Sequence, residues 1–395
     1  MPIQRPWAIA LPRIQTNAAH LNGRNLVYTP EGGFKVSIPY VTADMIDKTP
    51  GDPLDVFAFG TYAMKVQAAR IEMTQQDLNV AMQVATAGNQ QVSSLHGELL
   101  DGNRLAVGGT LRFHGIPVPF SARVRAGVTG PSGVRLDPEA LKVFCIPVRW
   151  ALRFVDVGKL VPGGLVAKGP NGSFQVDISG VEAFKGDLTG LEVTNGKLAV
   201  RIGGQPGPDV ARSRRANDPN YCEIISTGEV TLEAGIIRNA KVVIIDDTPN
   251  DPYSLNKWDK EGYARLESGQ VVLTLDKLRA RFANVGGGFI VKSVGMAGTD
   301  LVVTGQKEIL GLPIPVNFKV RFAPTADGRL KLTPHDVHVA GIGFGQSQIV
   351  DAMAGMAGMK RDGDGVILDM RASNQVQMPP IKRVTSEAGR IVLNT

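Results

Sequence analysis

Residues 113–127 read FHGIPVPFSARVRAG, and residues 309–323 read ILGLPIPVNFKVRFA. The two stretches sit at the centre of longer windows, 102–143 and 298–339, that agree without a gap at 13 of 42 columns when slid by 196 positions. Gly115/Gly311, Pro117/Pro313, Pro119/Pro315, Val124/Val320, Arg125/Arg321, Leu136/Leu332 and Pro138/Pro334 are among the matches. Unrelated segments of this length share about two or three, so the chain reads as two copies of one unit.

After each G-x-P-x-P the apolar residues alternate. Phe120, Ala122, Val124 and Ala126 stand opposite Ser121, Arg123 and Arg125; Val316, Phe318, Val320 and Phe322 stand opposite Asn317, Lys319 and Arg321. A period of two predicts a strand with one apolar and one basic, wetted face. A turn follows in each copy, Gly130-Pro131-Ser132-Gly133 and Ala326-Asp327-Gly328, and then a second strand, which makes a hairpin.

The 395 residues suffice for two domains, with boundaries expected at 1–205 and 206–395 in the stretch GGQPGPDVARSRRANDP. The composition is globular, with 43% hydrophobic and 20% charged residues; 46 glycines and 25 prolines point to many turns and hence many strands. A net charge of +6 from 43 basic and 37 acidic residues gives no reason to expect nucleic acid as a partner. The Arg212, Arg214 and Arg215 cluster reads as a solvated linker. No signal peptide and no apolar run of membrane-spanning length is recognisable, so the expected localisation is cytoplasmic as given, or the cell envelope had a leader been removed. The two cysteines, Cys145 and Cys222, occupy unrelated places and form no disulfide framework.

Two windows switch to helical spacing. In 74–87 (TQQDLNVAMQVATA), Leu78, Ala81, Met82 and Ala85 share a face, with Thr74 as N-cap and Gly88 as stop. In 271–283 (VVLTLDKLRARFA), Thr274 is the cap and Leu278 and Phe282 are four apart. Further apolar segments follow at 150–160 and at 344–359 (FGQSQIVDAMAGMAGM), where Ile349, Met353 and Met356 form one stripe. Each copy closes with alternating strands, 172–178 and 191–202 in the first and 365–370 and 382–393 in the second, turning at Asn195-Gly196 and Ala388-Gly389.

Catalytic constellations are not evident: no titratable set recurs in both copies, and neither G-x-S-x-G, a Walker loop nor C-x-x-C occurs. His335 and His338 are three apart in a strand and so predicted on opposite faces. Asp362-Gly-Asp364-Gly365 starts like a calcium loop, but Ser373 stands where the bidentate glutamate is needed. The acidic stretch 246–251 reads as a solvated connection or a weak cation site. We therefore expect no enzyme, no cofactor and no metal.

The helix, the G-x-P-x-P strand and the L-x-P-x-x-V-x-V strand, at Gly115–Pro119 with Leu136–Val143 and at Gly311–Pro315 with Leu332–Val339, together resemble the LmeA-like phospholipid-binding family. That family belongs to the TULIP superfamily of tubular lipid-binding proteins, which includes bactericidal permeability-increasing and SMP-type domains. The resemblance implies an α+β fold of two tandem repeats, each a highly curved antiparallel β-sheet wrapped around amphipathic helices. It also implies an apolar tunnel for a phospholipid or fatty-acid-like ligand and a peripheral membrane surface contact. Leu78, Met82, Leu278, Phe282, Ile349, Met353 and Met356 are the expected lining, and Arg123, Arg125, Lys319 and Arg321 are the cations offered to headgroups. Such a tube holds a ligand only where side chains leave it unfilled. The alternative expectation is an assembly or structural protein, a component of a particle, virion or inclusion surface, using the same tube without a ligand.

Overall fold

The computed structural model describes residues 17–30, 32–49, 51–56, 61–89, 92–113, 115–144, 146–147, 166–169, 172–177, 184–204, 220–232, 235–248, 250–255, 261–283, 289–309, 312–339, 345–356, 358–368, 376–387 and 389–395. The expected boundary at 205/206, the arginine cluster, the apolar segment 150–160 and Cys145 fall outside them.

The expected α+β layout is wrong. The chain is built mostly of antiparallel strands in three sheets, and the described residues hold three short helices: α1 (Gln75–Thr86), α2 (Leu275–Phe282) and α3 (Gln346–Ala354). None forms an axis around which a sheet wraps. Part of the window read as helix, 271–274, is the end of the strand Gly262–Thr274, as its run of Val271, Val272 and Leu273 allows. The caps are as expected. The backbone N–H of Asp77 donates to Thr74 Oγ1 at 3.2 Å and that of Lys277 to Thr274 Oγ1 at 3.4 Å.

Polar residues explain where the helices sit. Along α1, Gln75 Oε1 and Asn79 Oδ1 accept from the backbone N–H groups of Leu99 (3.2 Å) and Gly97 (2.6 Å), on the edge strand Val92–Leu100. In α2, Arg279 Nε donates to the Val294 carbonyl at 3.0 Å, on the edge strand Phe289–Ala297. These two helices thus cover the open edge of a sheet and satisfy part of its ladder, which a strand edge otherwise leaves open to pairing with another chain.

The order of strands across the largest sheet reads the same from either end. From one edge come Leu188–Thr194, Lys197–Gly203, Tyr62–Thr74, Val36–Asp47 and Ala18–Tyr28; from the other come Arg383–Glu387, Arg390–Asn394, Gly262–Thr274, Gly235–Asp246 and Tyr221–Thr227. Ala18–Tyr28 and Tyr221–Thr227 meet antiparallel at the middle, in register from Ala18↔Thr227 to Arg24↔Tyr221. Each remaining sheet belongs to one half. Strands Val92–Leu100, Arg104–Phe113, Ile116–Val128 and Gly133–Val143 form the body of one, and Phe289–Ala297, Asp300–Ile309, Leu312–Pro324 and Leu330–Val339 the body of the other. The two G-x-P-x-P strands are therefore the third in their respective meanders.

The seam is interlocked. A loop of pattern D-x-T-P-x-D-P occurs at 47–53 and again at 246–252, and each copy delivers a two-residue strand to the opposite half: Leu54↔Val230 and Leu26↔Tyr253. Asp47 Oδ1 accepts from the N–H and hydroxyl of Thr49 (both 2.8 Å), and Asp246 Oδ1 from those of Thr248 (2.7 and 2.9 Å). Asn17 Nδ2 donates to the Asp52 carbonyl at 2.6 Å and Asn220 Nδ2 to the Asp251 carbonyl at 2.5 Å. All four anchoring side chains, Asn17, Asp47, Asn220 and Asp246, are buried. The cores are correspondingly shared: Leu54, Val56 and Tyr62 pack into the larger hydrophobic cluster with residues of the second half, and Tyr253 and Cys222 into the smaller one with residues of the first.

Candidate functional site

The two meanders have the same strand order and unequal interiors. In the second half, Val316, Phe318, Val320 and Phe322 are 0–6% exposed, and Leu301, Val303, Leu330 and Leu332 at most 1%. Phe318 meets Phe289 with ring centroids 5.7 Å apart. In the first half, Phe120, Ala122, Val124 and Ala126 are only half-buried, as are Leu105, Val107 and Leu136. Among the described residues of 92–177, Leu99 and Phe174 alone join the buried hydrophobics.

Matched positions differ in side-chain volume. Where the second half has Phe318 and Phe322, the first has Ala122 and Ala126. Identical neighbours differ in burial too: Val124 and Leu105 are half-buried, whereas Val320 and Leu301 are fully enclosed, although Phe120 stands where the second half has Val316. Gly97, which pairs with Val107 where Val294 pairs with Val303, thins the same face further, whereas Gly109 is matched by Gly305. A Cβ at Gly97 would lie 3.2 Å from Met82 Sδ, and one at Gly109 would lie 3.1 Å from the Phe120 ring and 3.3 Å from Leu95. Met82, Leu95, Leu105, Phe120 and Val124 are thus half-buried apolar neighbours on one face of this sheet, and the stretch Phe120 to Ala126 alone runs about 20 Å at roughly 3.3 Å per residue.

The expected lining residues divide accordingly. Leu278, Phe282, Ile349, Met353 and Met356 belong to one packed cluster and are 0–7% exposed, so they fill the second half. Leu78 and Met82 are half-buried on α1, which has no buried residue at all. The four cations separate too. Lys319 pairs with Asp336 (2.8 Å), Arg321 with Asp300 (3.4 Å) and Arg125 with Glu139 (3.0 Å), while Arg123 is exposed and has no ion-pair partner among the described residues.

The candidate metal groups are committed elsewhere. His335 Nε2 lies 3.1 Å from Asp300, and His338 Nδ1 bonds the Asp336 carbonyl at 2.8 Å. Asp362 precedes the turn and Asp364 lies in it, and both reach Lys331, at 3.2 and 2.8 Å. Asp246 spends Oδ1 on Thr248 and Oδ2 on Asn220 Nδ2, so the acidic loop is a folding clasp. No group of three or more His, Cys, Asp or Glu side chains placed to hold a metal ion occurs among the described residues, nor is any of their helices long and apolar enough to cross a membrane. Cys222 is buried, and burial first, with Glu223 next to it, pushes its thiol up to about 12.

Comparison with known proteins adds little. No family model matches the chain, and no curated protein does. Among solved structures the chain is similar to one titled "Crystal structure of lipopolysaccharide binding protein", at 8% identity and a TM-score of 0.15, over 96% of this chain and 97% of that one. At that score the likeness carries no argument about fold or function.

Proposed function

We propose that the protein binds a lipid or another hydrophobic ligand without catalysis, and that it does so on the apolar inner face of the first meander only. The observation that carries this is the unequal burial of matched residues, with Ala122 and Ala126 standing where Phe318 and Phe322 fill the other half. Leu78, Met82, Leu95, Leu105, Phe120 and Val124 are the contacts; the second half is a solid body that supports the first through the seam. Burying an acyl chain gains about 0.8 kcal/mol per methylene, so a trough covering even six of them gains roughly 5 kcal/mol. A division of the chain into functional units at 1–205 and 206–395 belongs to the same proposal.

The test transplants the filling residue. Fluorescent fatty-acid uptake is measured for the wild type, for Ala122→Phe, and for Met353→Ala in the filled half. The proposal expects uptake by the wild type, a loss of at least tenfold in Ala122→Phe, and little change in Met353→Ala. Absence of uptake by the folded wild type, or uptake indifferent to Ala122→Phe, defeats it.

A further inference from the structure

A second apolar feature lies at one end of the first meander. The strand Ile116–Val128 begins there after the turn at Gly115, and the strand Gly133–Val143 ends there, because Phe120 is in register with Val143 and the Phe144 N–H donates to the Pro119 carbonyl at 3.1 Å. The short strand Ile146–Pro147 folds back onto Lys142 and Val143. Together they expose Ile116 (62%), Phe144 (54%) and Ile146 (62%). Phe144 holds a backbone φ of +49°, a left-handed conformation unfavourable for an aromatic residue, and it does so with its ring turned to solvent. Core packing does not account for that strain.

The charge of this meander leans basic, although Arg104 and Arg125 are paired with Glu139 and Arg135 with Asp137. Residues 102–136 contain Arg104, Arg112, Arg123, Arg125 and Arg135 and no Asp or Glu, whereas the matched stretch 298–332 contains Asp300, Glu308 and Asp327. At the tip itself Arg112 and Lys142 are exposed, and neither forms an ion pair among the described residues. Three side chains of this size offer on the order of 300 Å² of apolar surface, well short of the roughly 800 Å² per partner of a stable protein interface. Apolar residues beside unpaired cations match the boundary of an anionic bilayer, where headgroups meet the charges and acyl chains the rings.

We infer that this tip, Ile116, Phe144 and Ile146 with Arg112 and Lys142, docks the protein on an anionic lipid surface. The docking is independent of the trough, although the apolar row Ile116, Val118, Phe120 and Ala122 runs from one into the other; that continuity as a path for ligand rests on the function proposed above.

Co-sedimentation of the full chain with phosphatidylglycerol-containing and pure phosphatidylcholine vesicles tests it, with fatty-acid uptake in vesicle-free buffer as a separate readout. The expected results are preference for the anionic vesicles, a loss of about fivefold for each of Arg112→Gln and Lys142→Gln, and a loss of at least tenfold for Ile116→Ser/Phe144→Ser/Ile146→Ser with uptake retained. Phe144→Gly relieves the left-handed backbone and should melt no lower than wild type while binding vesicles more weakly. Ile290→Ser/Leu312→Ser, at the exposed end of the other meander, should bind like wild type. Equal binding to both vesicle types, no binding at all, unchanged binding of the triple variant, or loss of self-association in place of vesicle binding would each overturn the inference. Loss of uptake with vesicle binding intact would count against the trough alone.

Discussion

Leu301 and Leu105 occupy the same column of the repeat and carry the same side chain, so truncating each to alanine compares two environments with the chemistry held constant. Leu301 is 0% exposed inside the larger cluster. Removing three carbons there loses about 2.4 kcal/mol of transfer free energy at roughly 0.8 kcal/mol per carbon. An unrelaxed cavity of some 50 Å3 adds about 1.2 kcal/mol at ~24 cal/mol per Å3. Leu301→Ala should therefore cost about 3.5 kcal/mol. Leu105 is half-buried on an open face, so the transfer loss falls to roughly half and no closed cavity forms, giving about 1 kcal/mol. Guanidinium unfolding followed by far-ultraviolet circular dichroism measures both, provided each transition is fitted separately where the halves unfold in turn. Equal costs for the two variants, or a larger cost at Leu105, would refute the claim that one interior is filled and the other open.

Other outcomes follow from the seam, from one ion cluster and from the filled core. Asp246→Asn places an amide against Asn220 Nδ2 and should cost about 1–3 kcal/mol, whereas Asp47 Oδ2 has no hydrogen-bond partner among the described residues, so Asp47→Asn should cost less; thermal melts of the pair check the difference. Burial raises the Glu229 carboxyl, but hydrogen bonds and charge from Arg238 and Arg390 outweigh it and hold the group below its usual range. A depressed folded value means stability that is present above the unfolded pKa of about 4.3 and is lost as pH falls below it. The deficit of Glu229→Gln relative to wild type should accordingly shrink in melts taken below about pH 4.3. Met353→Trp forces a larger side chain into a site with 0% exposure and should cost about 1–3 kcal/mol or more while leaving fatty-acid uptake unchanged.

The strands were the most legible part of this chain, because period-two alternation and turn chemistry act over a few residues. Asn195 and Gly196, for example, both adopt positive φ in the tight turn between Leu188–Thr194 and Lys197–Gly203. Helix starts were legible for the same reason, from Thr74 and Thr274. What the helices pack against was not. The apolar stripe of α1 is compatible with a core position, and only the bonds from Gln75 and Asn79 to the backbone of 97–99 assign the helix to a sheet edge. The D-x-T-P-x-D-P repeat was in plain view but lies at an offset of 199, three away from that of the main signature, so one gapless alignment passes over it. The candidate site was half legible. Ala122 against Phe318 and Ala126 against Phe322 could have been compared as volumes; alternation alone treats alanine and phenylalanine as the same apolar letter. Ile116, Phe144 and Ile146 gave no signal, since exposure of an apolar residue depends on what the rest of the chain leaves uncovered.

The most direct trial of the account is photolabelling with a diazirine-bearing fatty acid, followed by mapping of the labelled peptides. Label should concentrate in the peptides that carry Leu78, Met82, Leu105, Phe120 and Val124, and should be sparse in those that carry Leu301, Phe318 and Met353. Label concentrated instead on the second set, or distributed evenly over both, would contradict it.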